Sequence, residues 1–364
     1  MNKEIPPFSD DFQSPPPVPP IQLDKDVGTF ARTWRFAFQG SGMEYFKIWI
    51  TNLFLTIITL TLYAPWAKVR RLRYFYGNTY LNRRKFDFTG VPLRIFYGRI
   101  LALVLYGVFA WVSQLSVEAN IWTFLLIFIA VPWIVRSSHR FMARNSKYAN
   151  GRFYFSAGMA RTYGTFIGCI LITIFSLGLL FPIALLFFKR YQLNHLYVGQ
   201  LPFRLNASIA DFFVAILLPV LLFMGSIIIA IALVFFSINS GDVGGVLMVI
   251  GVLFYMFAIL YLGPLVQGYL FKATWSRVEV GNSQITTDVN PWQYAWIQVT
   301  NSIAIIFSLG LLFAWAQVRI YRYKIESISV EFFDDPQQIY NKAQQDHHAL
   351  GEELADIFDI DIAI

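Results

Sequence analysis

The chain has 364 residues, of which 56% are hydrophobic and only 14% charged, and its mean hydropathy is +0.52. A soluble fold of this length cannot hide so much apolar side chain, which excludes the ordinary globular class and points to a polytopic membrane protein. The formal charge of +7 is unevenly spread: the last 34 residues hold nine acids against Lys342 alone, leaving roughly +15 on the rest. In a membrane protein such an excess marks cytoplasmic loops, so no nucleic-acid partner is expected. The single cysteine, Cys169, lies in an apolar run, so neither an intramolecular disulfide nor a cysteine-based metal site can form.

The chain begins with a tail, residues 1–29, that holds seven prolines, including the run PPPVPP at 15–20. Its composition predicts disorder, and a proline-run partner is a secondary expectation. No apolar stretch of signal-peptide type follows Lys3 and Glu4.

From Trp34 the chain falls into a pattern that it writes more than once. Residues 59–81, 176–198 and 308–330 superpose without gaps, bringing together Leu60, Leu177 and Leu309, then Ala67, Ala184 and Ala316. Arg73, Arg190 and Arg322 also coincide, each followed by a tyrosine (Tyr74, Tyr191, Tyr323). Self-similarity on this scale predicts a duplicated structural unit. A strand-like alternation precedes the first two copies (34–38 and 151–155) and another follows them (86–88 and 203–205). Two apolar segments come after each of those copies, at 100–116 and 119–135, short for spans but adequate if untilted, and again at 212–236 and 243–271, long enough to tilt. The expected fold is therefore an all-α integral membrane protein, a polytopic helical bundle of two and a third internal repeats, with short strand-like pieces flanking the repeated segment. Its divisions are a tail at 1–29, repeats at 30–143 and 144–271, a partial repeat at 272–330, and an acidic cytoplasmic tail at 331–364.

The repeated segments themselves leave two arrangements open. Their charge-free runs, 48–67, 162–188 and 289–318, are each interrupted by proline or by Leu-Gly-Leu. If all three cross, there are seven spans and successive copies are inverted; the lengths favour this. If they dip and return, there are four full spans and every basic loop lies on one side. The charge rule favours this second arrangement, in which the flanking strand-like pieces can pair.

The chemistry offered is cationic and aromatic. Arg70, Arg71, Arg73 and Tyr74, with Arg190, Tyr191, Arg322 and Tyr323, are candidate contacts for anionic lipid or another anion, because guanidinium groups fork onto phosphates at headgroup depth. Orientation and anchoring alone also account for such residues. Asn52, Thr56, Asn301 and Ser302 are candidates to line a pore or pocket among the repeated segments, where broken polar helices commonly build solute sites. The apolar runs hold no Asp, Glu, Lys, Arg or His, and the four histidines fall into no metal-ligand spacing, so no enzyme activity, metal or cofactor is expected. Gly164-xxx-Gly168 has the spacing that lets helices approach, within one chain or between copies of a homo-oligomer.

The run Tyr63-Ala64-Pro65-Trp66-Ala67-Lys68-Val69-Arg70, with Arg73-Tyr74-Phe75-Tyr76-Gly77-Asn78-Thr79 behind it, resembles the YjgN-like family of bacterial inner-membrane proteins, named for a domain of unknown function. Phe38-Gln39-Gly40 and Phe86-Asp87-Phe88-Thr89-Gly90 fit as well, and the likeness covers about 34–330. The second copy departs from it, with Ile183, Leu185 and Phe187 in place of Trp, Lys and Arg. The resemblance implies a multi-pass protein of the bacterial cytoplasmic membrane and carries over no catalytic residue. Two functional classes follow: transporter- or channel-like handling of a small solute or lipid, or a non-transporting scaffold or envelope-stress protein that binds anionic lipid or a protein partner through its tails. Both termini are expected in the cytoplasm.

Overall fold

A computed structural model describes residues 32–114, 116–149, 151–238 and 241–332. The N-terminal tail with its proline run, and the acidic tail from 333 onward with His347-His348, lie outside the described residues, whereas Glu331 and Phe332 belong to a strand rather than to the tail.

The described chain is not an all-helical bundle. Ten short strands, β1 Arg32–Phe38, β2 Thr79–Leu81, β3 Arg84–Phe88, β4 Ser146–Tyr148, β5 Gly151–Phe155, β6 Leu196–Val198, β7 Leu201–Leu205, β8 Val278–Val280, β9 Ser283–Thr287 and β10 Ile328–Phe332, close into one antiparallel barrel. The all-α expectation fails because pieces of three to seven residues look too short to form a sheet. Here β1, β3, β5 and β7 divide their residues between two neighbours, and the three-residue strands pair on both sides. In β1, Arg32 to Arg35 pair with β10 and Phe36 to Phe38 pair with β2, the register offset that closing a tilted sheet requires. Along the strands one set of side chains, among them Phe36, Phe86, Phe153, Phe203, Ile285 and Val330, points inward. The alternating set is polar, with Asp87 opposite Lys147 and Arg204 opposite Glu279. A barrel crossing lipid would carry the reverse pattern, apolar outside.

Ten helices alternate with these strands in pairs: α1 Gly42–Ile58 and α2 Ala64–Gly77, α3 Pro92–Val112 and α4 Val117–Arg144, α5 Met159–Phe175 and α6 Phe181–Asn194, α7 Ile209–Ile238 and α8 Gly244–Trp275, α9 Pro291–Phe307 and α10 Phe313–Glu326. Every helical pair joins an odd-numbered strand to the next even-numbered one, and each tight turn joins an even strand to the next odd one. Because neighbouring strands are antiparallel, all five helical hairpins leave one rim of the barrel. The tight turns and both ends of the described chain lie at the other rim. At the first tight turn Asn82 and Arg83 both have positive φ (46° and 62°), the geometry of the two-residue turn that matches strand twist.

The two kinds of hairpin differ in reach. Helices α3, α4, α7 and α8 have 21, 28, 30 and 32 residues and the hydropathy of membrane spans. The other three hairpins each consist of a 17-residue helix followed by one of 14 residues. At 1.5 Å per residue these rise about 25 Å and 21 Å, short of the ~30 Å hydrocarbon core. In each, both flanking strands pair with each other (β1 with β2, β5 with β6, β9 with β10), so the segment returns to the rim it left.

The tips of these short hairpins satisfy their own backbone. Leu60, Leu177 and Leu309 adopt left-handed φ near 50°, and the next residue closes the helix from outside it. Thr61, Gly178 and Gly310 N–H groups donate back to Thr56, Thr173 and Ile305 carbonyls at 2.7–2.8 Å, the Schellman termination. The Thr59, Ser176 and Ser308 hydroxyls then accept from the N–H groups of Tyr63, Leu180 and Leu312, each at 3.0 Å, and start the returning helix. Side chains at these tips are the most exposed apolar groups among the described residues; Leu177 and Leu309 are 92% and 94% exposed. A turn that carries its hydrogen bonds internally while presenting leucine outward suits hydrocarbon rather than water.

Closure of the sheet can be tested directly. In a Cys169→Ala background, Arg35→Cys with Ser329→Cys places two cysteines on directly paired positions of β1 and β10. Such pairs have Cα atoms ~4.5–5.5 Å apart, within disulfide range. Mild oxidation of membranes is expected to bridge them, whereas Arg35→Cys with Gln284→Cys, one strand further away, stays reduced.

Candidate functional site

The recurrent Arg-Tyr pair proves to be internal stitching. Arg73 on α2 donates to the Phe88 and Gly90 carbonyls (3.3 and 3.1 Å), Arg190 on α6 to the Ala207 carbonyl (3.0 Å), and Arg322 on α10 to the Gly40 carbonyl (2.7 Å). Each acceptor lies where a strand crosses into the next hairpin: β3 into α3, β7 into α7, and β1 into α1. Arg136, buried on α4, does the same to the Ala157 carbonyl at 2.6 Å, ahead of α5. Four of the five junctions around the rim therefore carry an arginine from the preceding hairpin. The fifth is made by close approach, since a Cβ at Gly268 on α8 would stand 3.0 Å from the Pro291 Cα.

The tyrosines hold their own hairpins together. The Tyr74 hydroxyl donates to the Ser41 carbonyl (2.8 Å), Tyr191 pairs with the Thr162 hydroxyl (2.8 Å), and Tyr323 donates to the Asn290 carbonyl (3.1 Å). All three acceptors are at the start of the outgoing helix. The structure thus places Arg73, Arg190, Arg322 and the three tyrosines on backbone and neighbouring side chains. Gly164 and Gly168 face open space, with nothing within 4 Å of an added Cβ, rather than a helix contact.

The four residues expected to line a pocket separate into two groups. Asn52, Cys169 and Asn301 are each the eleventh residue of their helix. Asn301 Nδ2 donates to the Ala316 carbonyl (3.1 Å), and its Oδ1 accepts from Arg319 (3.0 Å); the Cys169 thiol donates to the Ala184 carbonyl (3.2 Å). Ser302 bonds back to the Gln298 carbonyl. In the first hairpin the corresponding arginine, Arg70, lies over the Tyr63 ring instead (5.8 Å). Asn52, 7% exposed, is left with Oδ1 unpartnered.

Around Asn52 and Thr56 is a cavity of about 460 Å³ between α1, α2, α3 and the first turn of α10. Trp49, Pro65 and Phe313 give it an apolar floor, and half-buried Lys68 stands with Arg71 and Arg99 at its edge. Among the described residues that line it, none is acidic. Thr56 directs its hydroxyl to the Asn52 main-chain carbonyl (2.6 Å), whereas the Asn52 side-chain Oδ1 has no partner. Three cations, an apolar floor and one unsatisfied amide can hold an anionic group attached to an apolar body. Sequence alone drew attention to Asn52 and Thr56 and to the cationic run that holds Lys68 and Arg71, but passed over Arg99, because α3 comes from outside the repeated motif.

A family model described as a bacterial protein of unknown function (DUF898) matches residues 33–357. The chain belongs to that family. Among curated relatives, inner membrane protein YjgN of Salmonella typhimurium is 29% identical over 127 residues, covering 35% of this chain and 32% of the relative. Its namesake in Escherichia coli O157:H7 is 29% identical over 127 residues, or 34% and 31% of the two chains. The match to YjgN of Escherichia coli K12 is 45% identical over 53 residues, covering 15% of this chain and 13% of that one. The chain thus spans about a third or less of the curated relatives it matches, and no solved structure matches it. The relatives' name and the four long apolar helices agree on a membrane protein of this bacterial family.

The stitching makes a prediction about stability. Charge-assisted bonds to backbone are worth about 1.5–3 kcal/mol each when buried and less where solvent reaches them. Arg73→Ala, Arg190→Ala and Arg322→Ala are each expected to lower the thermal midpoint in detergent, with Arg136→Ala, the most buried, lowering it most. An equal loss from Arg152→Ala, on the outer face of β5, would show that the junction bonds are not special.

Proposed function

We propose that this protein handles anionic glycerophospholipid at the cytoplasmic face of the bacterial inner membrane, taking the headgroup into the pocket between α1, α2, α3 and α10. The observation that carries this is the set of Lys68, Arg71 and Arg99 around one apolar-floored cavity in which the Asn52 amide has no partner. Cations near a membrane surface attract anionic lipid with about 1 kcal/mol each. An unpartnered amide oxygen beside them calls for a hydroxyl donor, which a glycerol headgroup supplies.

In this reading α3, α4, α7 and α8 cross the membrane, the three short hairpins enter and return, and the barrel and both termini are cytoplasmic. Support comes from the charge pattern: the tips at 113–116 and 239–243 hold neither Lys nor Arg, whereas the barrel-side ends of the helices carry Arg94, Arg140, Arg144, Arg161, Lys272 and Arg277.

Purified protein in lipid nanodiscs is expected to bind phosphatidylglycerol in preference to phosphatidylcholine. The Lys68→Ala, Arg71→Ala, Arg99→Ala triple variant should lose on the order of a hundredfold in that affinity, at about 1 kcal/mol per charge. Asn52→Leu should specifically lessen the preference for phosphatidylglycerol over phosphatidic acid. Native mass spectrometry of lipid adducts reads both; adduct levels unchanged in the triple variant would overturn the proposal.

A further inference from the structure

A second space lies inside the barrel, away from the helix pocket. Its volume is about 580 Å³, in the range of small-molecule sites and far larger than the voids of a packed protein interior. Phe36, Phe86, Phe153, Phe203, Val330 and Phe332 form its wall. Among the described residues that line it there is no Lys, Arg, Asp or Glu.

Its polar groups are distributed by position. At the helix rim they satisfy one another: the Thr79 hydroxyl pairs with Tyr321 (3.0 Å), Gln192 with His139 (3.1 Å), and Ser146 donates to the Met142 carbonyl (2.7 Å). Burial pushes the Tyr321 phenol up to about 12, so it stays a neutral donor. The opposite end differs. Ser283 opens β9 beside the tight turn from β8, is 3% exposed, and its Oγ has no hydrogen-bond partner. A buried hydroxyl without a partner is destabilising, and this one lines the cavity. A charged ligand would lie there without a counter-charge, a costly arrangement.

We propose that the barrel lumen is a binding chamber for one uncharged aliphatic molecule with a hydroxyl at one end, its chain against the phenylalanine wall and its hydroxyl on Ser283. This site is independent of the headgroup pocket: it shares no residue with it and takes a neutral ligand rather than an anionic one.

A diazirine-bearing hexadecanol, photolysed with the full-length protein in nanodiscs and mapped by peptide mass spectrometry, tests the assignment. The expected result is labelling on β3, β5, β7 and β10 that excess unlabelled hexadecanol suppresses and palmitate does not. Val330→Trp, which fills the lumen, should cut that labelling at least tenfold, and Ser283→Ala should cut it several-fold while leaving the thermal midpoint of the unliganded protein unchanged or raised. Should Val330→Trp fail to fold, Ile285→Phe and Ser283→Ala decide alone. Labelling confined to α3, α4, α7 and α8 would overturn the proposal, since it would mean partition into lipid. Strand labelling that palmitate competes equally, or that ignores both lumen substitutions, would overturn it as well.

Discussion

The alternation of an antiparallel closed sheet is the constraint on which everything else in this molecule depends. Once ten strands close with each neighbour reversed, every connection of one parity must emerge from the same rim. The chain uses that parity consistently, sending all five long connections out as helical hairpins and closing the rest as tight turns. A membrane protein can then keep its sheet in water and its helices in lipid without an unpaired strand edge at the boundary. Polar side chains outside the barrel and apolar ones within fit that division, and so do hairpins whose tips expose leucine and phenylalanine while the exposed charges, such as Arg70, Arg71, Arg322 and Glu326, stand toward the barrel.

Two further features follow from the common rim. Five hairpins leaving one ring need lateral ties, and the arginines of α2, α4, α6 and α10 supply them by reaching the carbonyls of the next strand-to-helix crossing. Backbone at these crossings lies outside both helix and sheet, so a guanidinium there satisfies groups that no regular structure reaches. The short hairpins also need turns that hydrocarbon tolerates. Left-handed leucine, a back-bonding N–H and a capping hydroxyl provide one in each of the three. Leucine is an unfavourable residue for that conformation by ~1–2 kcal/mol; at Leu177 and Leu309 it leaves an almost fully exposed apolar side chain, which hydrocarbon favours over water.

The sequence revealed the pieces more readily than their assembly. The broken helices were visible as charge-free runs cut at Pro65, Pro182 and Leu309-Gly310, and the strands at 34–38 and 151–155 as alternation. Thr79-Tyr80-Leu81 is too short to alternate, and the pairing of Arg32 with Phe332 joins residues that no local pattern connects. The carbonyl contacts of the arginines were not legible for a chemical reason: a guanidinium that clamps a carbonyl looks, in sequence, like one that waits for a phosphate. Only the partner tells them apart. Asn52 and Asn301 make the same point, since the same residue at the same helical position is satisfied by Arg319 in one hairpin and left open in the other. The cavity beside Asn52 also needs Arg99 and Phe313, which come from outside its own hairpin.

Sidedness is the most direct measurement of the account. In a Cys169→Ala background, Gln200→Cys stands at a tight turn of the barrel, Gln114→Cys at the tip between α3 and α4, and Leu177→Cys at the tip of a short hairpin. With a membrane-impermeant maleimide, the account predicts that Gln114→Cys labels in intact cells and Gln200→Cys only after permeabilisation. Leu177→Cys, held within the bilayer, should label in neither condition. Labelling of Gln200→Cys from outside, or of Leu177→Cys on the face opposite the barrel, would contradict a cytoplasmic barrel whose short hairpins turn back inside the membrane.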